Sequence, residues 1–302
     1  MKHVTTLALM LAGCLALAVV AGCGQGKEKP LTSLEPGMQE VSYALGMDMA
    51  RQIGGMPGAD DSEQLVTGLR ERLRGAARFA DDRAREIMQS HFQGGADSTA
   101  ADAGFATMAE ERSYAVGVSV GSFCEKQFPG LDQRALVQGL QDKLAGGTTL
   151  LADDQVRTIV GDFQKEQQAK KATENQAAGE KFLAENAQRP GVAVTASGLQ
   201  YEVLQEGAGA RPVATDTVKV NYRGTLIDGT QFDSSYDRGE PISFPLNRVI
   251  PGWTEGLQLM SVGSKYKFFI PGSLAYGERG AGADIGPNAT LIFEVELLAI
   301  NE

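Results

Sequence analysis

Apolar positions change their spacing twice along this chain, and the changes divide it. From Val4 to Ala21 they form an almost unbroken run. Between about residues 38 and 189 they recur every three to four positions. Leu65, Val66, Leu69 and Leu73, for example, fall on one stripe, the mark of an amphipathic helix. From about residue 196 they alternate. Val218, Val220 and Tyr222 are separated by Lys219 and Asn221, and Leu291, Phe293, Val295 and Leu297 stand opposite Thr290, Glu294 and Glu296, as in half-buried strands. Asp228-Gly229, between "TLI" and "TQFD", predicts a tight hairpin. A short helix interrupts the strands, with Ile250, Trp253, Leu257 and Met260 on its apolar face and Gly263 as its stop. The expected class is α+β, an all-helical N-terminal region followed by an antiparallel sheet wrapped on one short helix.

The helical region repeats itself. "VSYALGMDMARQI" from Val41 matches "RSYAVGVSVGSF" from Arg112, and "EQLVTGLRERL" from Glu63 matches "ALVQGLQDKL" from Ala135. Tyr43 and Tyr114, Leu65 and Leu136, Gly68 and Gly139, Leu69 and Leu140, and Leu73 and Leu144 are all offset by 71 residues. So much shared register marks an internal duplication. Each copy predicts three helices, with Asp81-Asp82 and Asp153-Asp154 at cap or first-turn positions. "QGGADSTAADAG", residues 93–104, is a joint between the copies. From Asp154 to about Asn186 only Gly161 and Gly179 weaken the third helix of copy two, until Pro190-Gly191 stops it. At a rise of 1.5 Å per residue it spans roughly 45–50 Å. Its charges read as a solvated face. The domains expected are repeat 1 at 38–95, repeat 2 with the long linker helix at 105–189, and a C-terminal domain at 196–302.

Composition narrows the function. A net charge of −10 and a pI near 4.9 argue against a nucleic-acid partner. Two histidines, His3 and His91, and three cysteines leave neither a zinc cluster nor a Ser-His-Asp system, so no metal and no cofactor are expected. Met1-Lys2-His3, the apolar run and "VAGC" before the polar "GQGKEKP" describe an export signal over residues 1–22. Its end resembles a bacterial lipobox, which implies cleavage before Cys23 and a lipid on its sulfur. An uncleaved transmembrane helix is the weaker reading, because the span is only marginally long enough. "LAGC" ending at Cys14 leaves too short an apolar core. Residues 23–37 are then expected to form a tether, and the chain to be exported and lipid-anchored in a bacterial membrane, facing the periplasm or the cell exterior. Cys124, left without a partner, is expected to be buried as a small hydrophobe.

Three stretches carry a family resemblance: "VNYRGTLIDGTQFDSSYDRGEPISFPL", "VIPGWTEGLQLMSVGSKYKFFIP" and "AYGERGAGADIGPNATLIFEVELL". In order and spacing they resemble the FK506-binding-protein family of peptidyl-prolyl isomerases, over about residues 196–302. The second repeat with its long helix is similar to the dimerisation module of the macrophage-infectivity-potentiator type, and the first repeat is an additional unit. The resemblance implies a pocket walled by Tyr222, Phe232 and Asp233, with Arg238 as the ion-pair partner of Asp233 and Phe244 at the base. Val249, Ile250 and Trp253 would supply its edge and floor, and Tyr276, Ile285 and Phe293 its rim. Ile242 stands where many members carry phenylalanine, and Ala281 and "IGP" at 285–287 change the flap.

The activity implied is rotation about X-Pro bonds in proline-containing unfolded or exported polypeptides, with inhibition by FK506-type macrolides. An exported chaperone or binding adaptor in which the isomerase pocket is incidental remains the other function class. The duplication suggests an intramolecular pseudo-dimer, with "ALGMDMARQI" facing "AVGVSVGSF"; a homodimer through the same helices is the competing arrangement.

Overall fold

The computed structural model describes residues 29–92 and 104–301. The export signal, Cys23 and nearly all of the joint lie outside the described residues. Repeat 1 forms α1 (Met38–Ile53), α2 (Ser62–Leu73) and α3 (Asp81–Phe92). Repeat 2 forms α4 (Met108–Gln127), α5 (Gln133–Leu144) and α6 (Asp153–Asn186). Side-chain caps start three of them, because Asp61, Thr107 and Asp132 accept from Gln64, Glu110 and Ala135 N–H. Asp81-Asp82 and Asp153-Asp154 lie inside their helices as first-turn acids, where the positive end of the helix dipole favours them. No helix among the described residues is long and apolar enough to cross a membrane.

The two repeats are interleaved. α1 packs on α5, and α4 packs on α2. The expectation that α1 and α4 face each other is therefore corrected: each lies chiefly against the second helix of the other copy. Four glycines explain the choice. A Cβ on Gly46 would lie 2.1 Å from the Leu136 carbonyl oxygen, and one on Gly117 would lie 2.0 Å from that of Leu65. Gly139 and Gly68 stand equally close to the carbonyl oxygens of Tyr43 and Tyr114, at 2.1 and 2.2 Å. Helix backbones in direct contact admit no side chain, and glycine stands at each of these four approaches. Polar contacts follow the same symmetry. Ser42 and Ser113 hydroxyls accept from Asp132 N–H and Asp61 N–H, at 2.8 and 2.9 Å. Tyr43 donates to Asp142 and Tyr114 to Glu71, at 2.8 and 2.6 Å. Burial raises both phenols to about 12, so they remain donors at neutral pH. Cys124 is buried, and that burial pushes its thiol up to about 12.

The C-terminal domain is one antiparallel sheet in the order β1-β2-β6-β7-β3-β4, with β5 also paired to β3. The strands are β1 (Val192–Val194), β2 (Gln200–Gln205), β3 (Thr217–Leu226), β4 (Gln231–Ser234), β5 (Ile242–Pro245), β6 (Lys265–Ile270) and β7 (Leu291–Ile300). The sheet thus begins at Val192, before the expected 196, because Val192–Val194 pairs with β2. Alternation holds along β3 and β7, which bury Val218, Val220, Tyr222, Leu291, Phe293, Val295 and Leu297. The hairpin at Asp228-Gly229 joins β3 to β4, with Gly229 at φ 89° and Leu226 N–H bonded to Thr230 O.

A one-turn helix, α7 (Ser235–Arg238), follows β4, and α8 (Pro251–Leu257) lies on the sheet. Pro251 occupies its first turn, where a missing N–H costs nothing. Gly252 and Gly256 let α8 approach, since a Cβ on either would come within 2.5–2.7 Å of Ile270 or Phe268 side chains. α8 stops at Leu257 and not at Gly263. Bonds from Leu259 to Gly256 and Met260 to Leu257 tighten the last turn, and Gly263, at φ 88°, instead turns the chain into β6.

The long helix is solvated only on part of its surface. Its last turns lie against the sheet domain, where Phe182 meets the Phe269 ring at 6.0 Å and Asn186 donates to Gln200 at 2.8 Å.

Candidate active site

A cavity of about 650 Å³ opens between α8, the sheet and the segment after β6. Its size suits a short stretch of peptide or a drug-sized ligand. It is lined by Tyr222, Phe232, Asp233, Phe244, Val249, Ile250, Trp253, Tyr276, Ile285 and Phe293. Those are ten of the eleven residues expected from the sequence. Ile242, Arg248, Ala281, Gly282 and Asp284 line it as well. Arg238, the eleventh, lies behind the wall.

The floor is built from rings. Trp253 meets Tyr222 at 5.2 Å and Phe293 at 5.0 Å, both edge-on, and Phe244 at 5.3 Å. Phe232 meets Phe293 edge-on at 5.5 Å. Such contacts between quadrupoles fix ring planes beyond what burial alone would do. The buried Trp253 Nε1–H has no acceptor among the described residues, so packing alone orients the indole. β3 and β7 deliver Tyr222 and Phe293 as diagonal neighbours on the inward face, because Tyr222 pairs with Val295 and Gly224 with Phe293. Gly224 is a residue that the sequence reading missed. A Cβ there would come within 2.6 Å of Phe232 and 2.7 Å of Phe293, so the two rings meet only across glycine. The signal was the glycine in "VNYRG", at a strand position where glycine otherwise weakens the sheet.

One wall is polar. Asp233 accepts hydrogen bonds from the Tyr222 hydroxyl and from Arg238 Nη1, and Arg238 Nη2 donates to the Tyr222 oxygen at 2.7 Å. The Arg238 guanidinium also stands 5.5 Å from the Tyr222 ring centre. Burial alone would raise the Asp233 carboxyl. The hydrogen bond from Tyr222, then Arg238, outweigh that and hold it below the usual carboxylate range. Asp233 is thus a carboxylate in use, with its charge compensated from behind. Arg238 orients Asp233 and Tyr222 and does not itself face the cavity.

The opposite rim is backbone and loop. Val249 and Ile250 are extended, and Ile250 is the N-cap residue of α8. Tyr276, 41% exposed, projects its phenol at the mouth, kept protonated by partial burial and then by the charge of Asp233. Ala281 and Ile285 exchange two backbone hydrogen bonds, at 2.8 and 3.1 Å, around Gly280 and Gly282, both at positive φ. That small loop turns Ile285 inward, where it is buried. Arg248, Gly282 and Asp284 carried no signal in the sequence, because exposed charges and loop glycines have no period to betray which side they face. No nucleophile–base pair lies among the lining residues; the cavity offers apolar rings, one compensated carboxylate, a phenol and backbone.

Comparisons with known proteins agree with this fold. Residues 209–298 match the family described as FKBP-type peptidyl-prolyl cis-trans isomerase. The domain amino terminal to FKBP-type peptidyl-prolyl isomerase matches twice, over 38–112 and 109–203, in step with the repeat. The chain is 50% identical over 207 residues to the FKBP-type peptidyl-prolyl cis-trans isomerase FkpA of Aeromonas hydrophila, covering 64% of this chain and 76% of that one. It is 43% identical over 200 residues to the outer membrane protein MIP of Legionella longbeachae, covering 64% and 86%. The crystal structure of FkpA from Escherichia coli aligns with a TM-score of 0.50 at 40% identity, covering 65% of this chain and 98% of that one.

Proposed function

This chain belongs to the FKBP-type peptidyl-prolyl cis-trans isomerase family, and we propose that the cavity over Trp253 is where it turns prolyl bonds. The observation that carries this reading is the ring floor facing a compensated Asp233 in one open cavity. A peptide bond resists rotation by about 18–20 kcal/mol, because its planar form is resonance-stabilised. Water favours the planar, strongly dipolar amide over the twisted one. In a dry ring-lined cup that advantage disappears, and the twisted bond is relatively favoured. The Ile250 N–H and the Tyr276 hydroxyl, neither engaged by a described residue, are suited to hold carbonyls on either side of the proline. No proton leaves or enters the substrate, so the chemistry needs no base. A millionfold acceleration corresponds to about 8 kcal/mol of differential stabilisation, within reach of desolvation and positioning.

The test is proline-limited refolding of an unrelated protein. Wild type is expected to accelerate it, an FK506-type macrolide is expected to abolish the acceleration, and the lone tryptophan's fluorescence should change as the macrolide binds. Acceleration that survives saturating macrolide places catalysis elsewhere.

Further parts of the reading concern the setting. Folding clients would be exported polypeptides, and the leader with a lipid on Cys23 would tether the enzyme to a bacterial membrane, with its catalytic domain in the periplasm or at the cell exterior. The interleaved repeats, with four glycine contacts made inside one chain, support a monomer that imitates a dimer and carries one catalytic domain. Light scattering on chain lacking residues 1–23 is expected to return the single-chain mass. A stable dimer there overturns the intramolecular reading.

A further inference from the structure

The stretch that walls the cavity has a second side. Its residues 281, 282, 284 and 285 line the site, whereas Gly286, Pro287 and Thr290 lie beneath α6. Asn175 Nδ2 donates to the Pro287 carbonyl at 2.7 Å. A Cβ on Gly286 would come within 2.9 Å of the same nitrogen, and one on Gly179 within 2.3 Å of Thr290 Oγ1. Gln200 Nε2 donates to the Leu183 carbonyl at 2.9 Å, and Asn186 is bonded to Gln200. Asn175, Gly179, Leu183 and Asn186 recur at i, i+4, i+8 and i+11, one continuous stripe of the helix. The contact is therefore a built face, held by hydrogen bonds at both ends and by a backbone approach in the middle.

We propose that α6 is a positioning element for the isomerase site, and that Asn175 is the residue through which it sets the loop carrying Ile285. The inference rests on the cavity being the substrate site. The loop is otherwise held by a few bonds of its own: the Ala281–Ile285 pair, Asn288 N–H to Gly277 O at 2.7 Å and Ala289 N–H to Gly286 O at 3.3 Å. Two of its turning points are glycines at positive φ, which resist displacement weakly. The Pro287 carbonyl sits two residues after Ile285, so the hydrogen bond from Asn175 restrains the inward position of that side chain directly. The same helix begins in the interleaved module, where Val156, Val160 and Phe163 are buried, so one rigid element connects that module to the pocket wall.

The experiment uses the full chain with Asn175→Ala, the same-sized non-donor Asn175→Asp, and the exposed-face control Thr173→Ala. Alanine raises helix propensity, so α6 persists, which far-ultraviolet circular dichroism verifies. Three readouts are compared: amide hydrogen exchange over 281–289, KM and kcat on a proline peptide, and macrolide binding followed by Trp253 fluorescence. Both Asn175 variants are expected to exchange faster at Ala281 and Ile285. Their KM and macrolide dissociation constant should rise together by about fivefold, the loss of one net hydrogen bond, with kcat within twofold. The Thr173 control should match wild type. A general loss of stability would instead depress kcat with the folded fraction and leave KM alone. Unchanged loop exchange, or faster exchange with unchanged KM and macrolide affinity, overturns the proposal. Should wild type lack isomerase activity, the site reading fails, and exchange with macrolide affinity still decides the role of Asn175.

Discussion

Alanine at Gly139 is expected to disrupt the helical module while sparing the catalytic domain. The added Cβ would lie 2.1 Å from the Tyr43 carbonyl oxygen and 2.9 Å from its carbon. Both are backbone atoms of α1, so no side chain can swing aside to make room. α1 and α5 must separate, and Tyr43, Met47, Leu136 and Leu140, all fully buried between them, lose contact. Overpacking of this kind costs about 3 kcal/mol or more, against roughly 1 kcal/mol returned by the better helix propensity of alanine. Gly161 supplies the control. It lies within α6, a Cβ there meets nothing within 4 Å, and alanine at that site should stabilise by up to about 1 kcal/mol. Cys124 reports the difference without a label of its own. Buried, with its thiol pushed up to about 12, it should resist a maleimide in wild type and in Gly161→Ala. In Gly139→Ala it should react readily, as read by mass spectrometry of its peptide, while turnover of a short proline peptide stays within twofold to fivefold. Equal protection in both variants would falsify the interleaved packing.

The second large effect is expected at Asp233. Asp233→Ala removes the acceptor shared by the Tyr222 hydroxyl and Arg238, leaving a buried phenol and a guanidinium without their anion. Tyr222 packs edge-on against Trp253, so a displaced phenol disturbs the floor. A fall in kcat/KM of about tenfold or more is expected, equivalent to roughly 1.4 kcal/mol of transition-state stabilisation. Arg238→Ala, which acts only through Asp233 and Tyr222, should lower it less. The pH dependence follows from the sign of the shift. In the folded chain the Asp233 carboxyl lies below its ordinary value, so its contribution is fully present above about pH 4, the usual carboxylate range. It is lost as pH falls through the lower, folded value. Activity should therefore be level from neutrality down to about pH 4 and fall only below it. Asp233→Asn should abolish that acid limb while keeping reduced activity. An unaltered acid limb in Asp233→Asn assigns the titration to another group.

Much of this molecule was legible before any coordinate. The change from helical to alternating period located both regions, because each face in contact with a core must repeat at the pitch of its own element. The duplication was legible for a related reason: Tyr43 and Tyr114, and Gly68 and Gly139, do the same packing job twice. Ten lining residues were expected from the family resemblance of three stretches, and alternation along β3 and β7 by itself marked only Tyr222 and Phe293 as inward.

Other features were decided by tertiary structure alone. Period tells which face of α1 is apolar, not which helix covers it; that depended on glycines on two helices meeting at one height, Gly46 on Leu136 and Gly139 on Tyr43. Gly224, Arg248 and Asp284 joined the site through strand pairing and loop closure, to which local pattern is blind. The docking of α6 on the Pro287 loop was hidden too, because Asn175 sits in a run of polar residues that reads as solvent-facing. A sequence records what each residue can bury or bond, and only the folded chain brings together partners separated by a hundred positions.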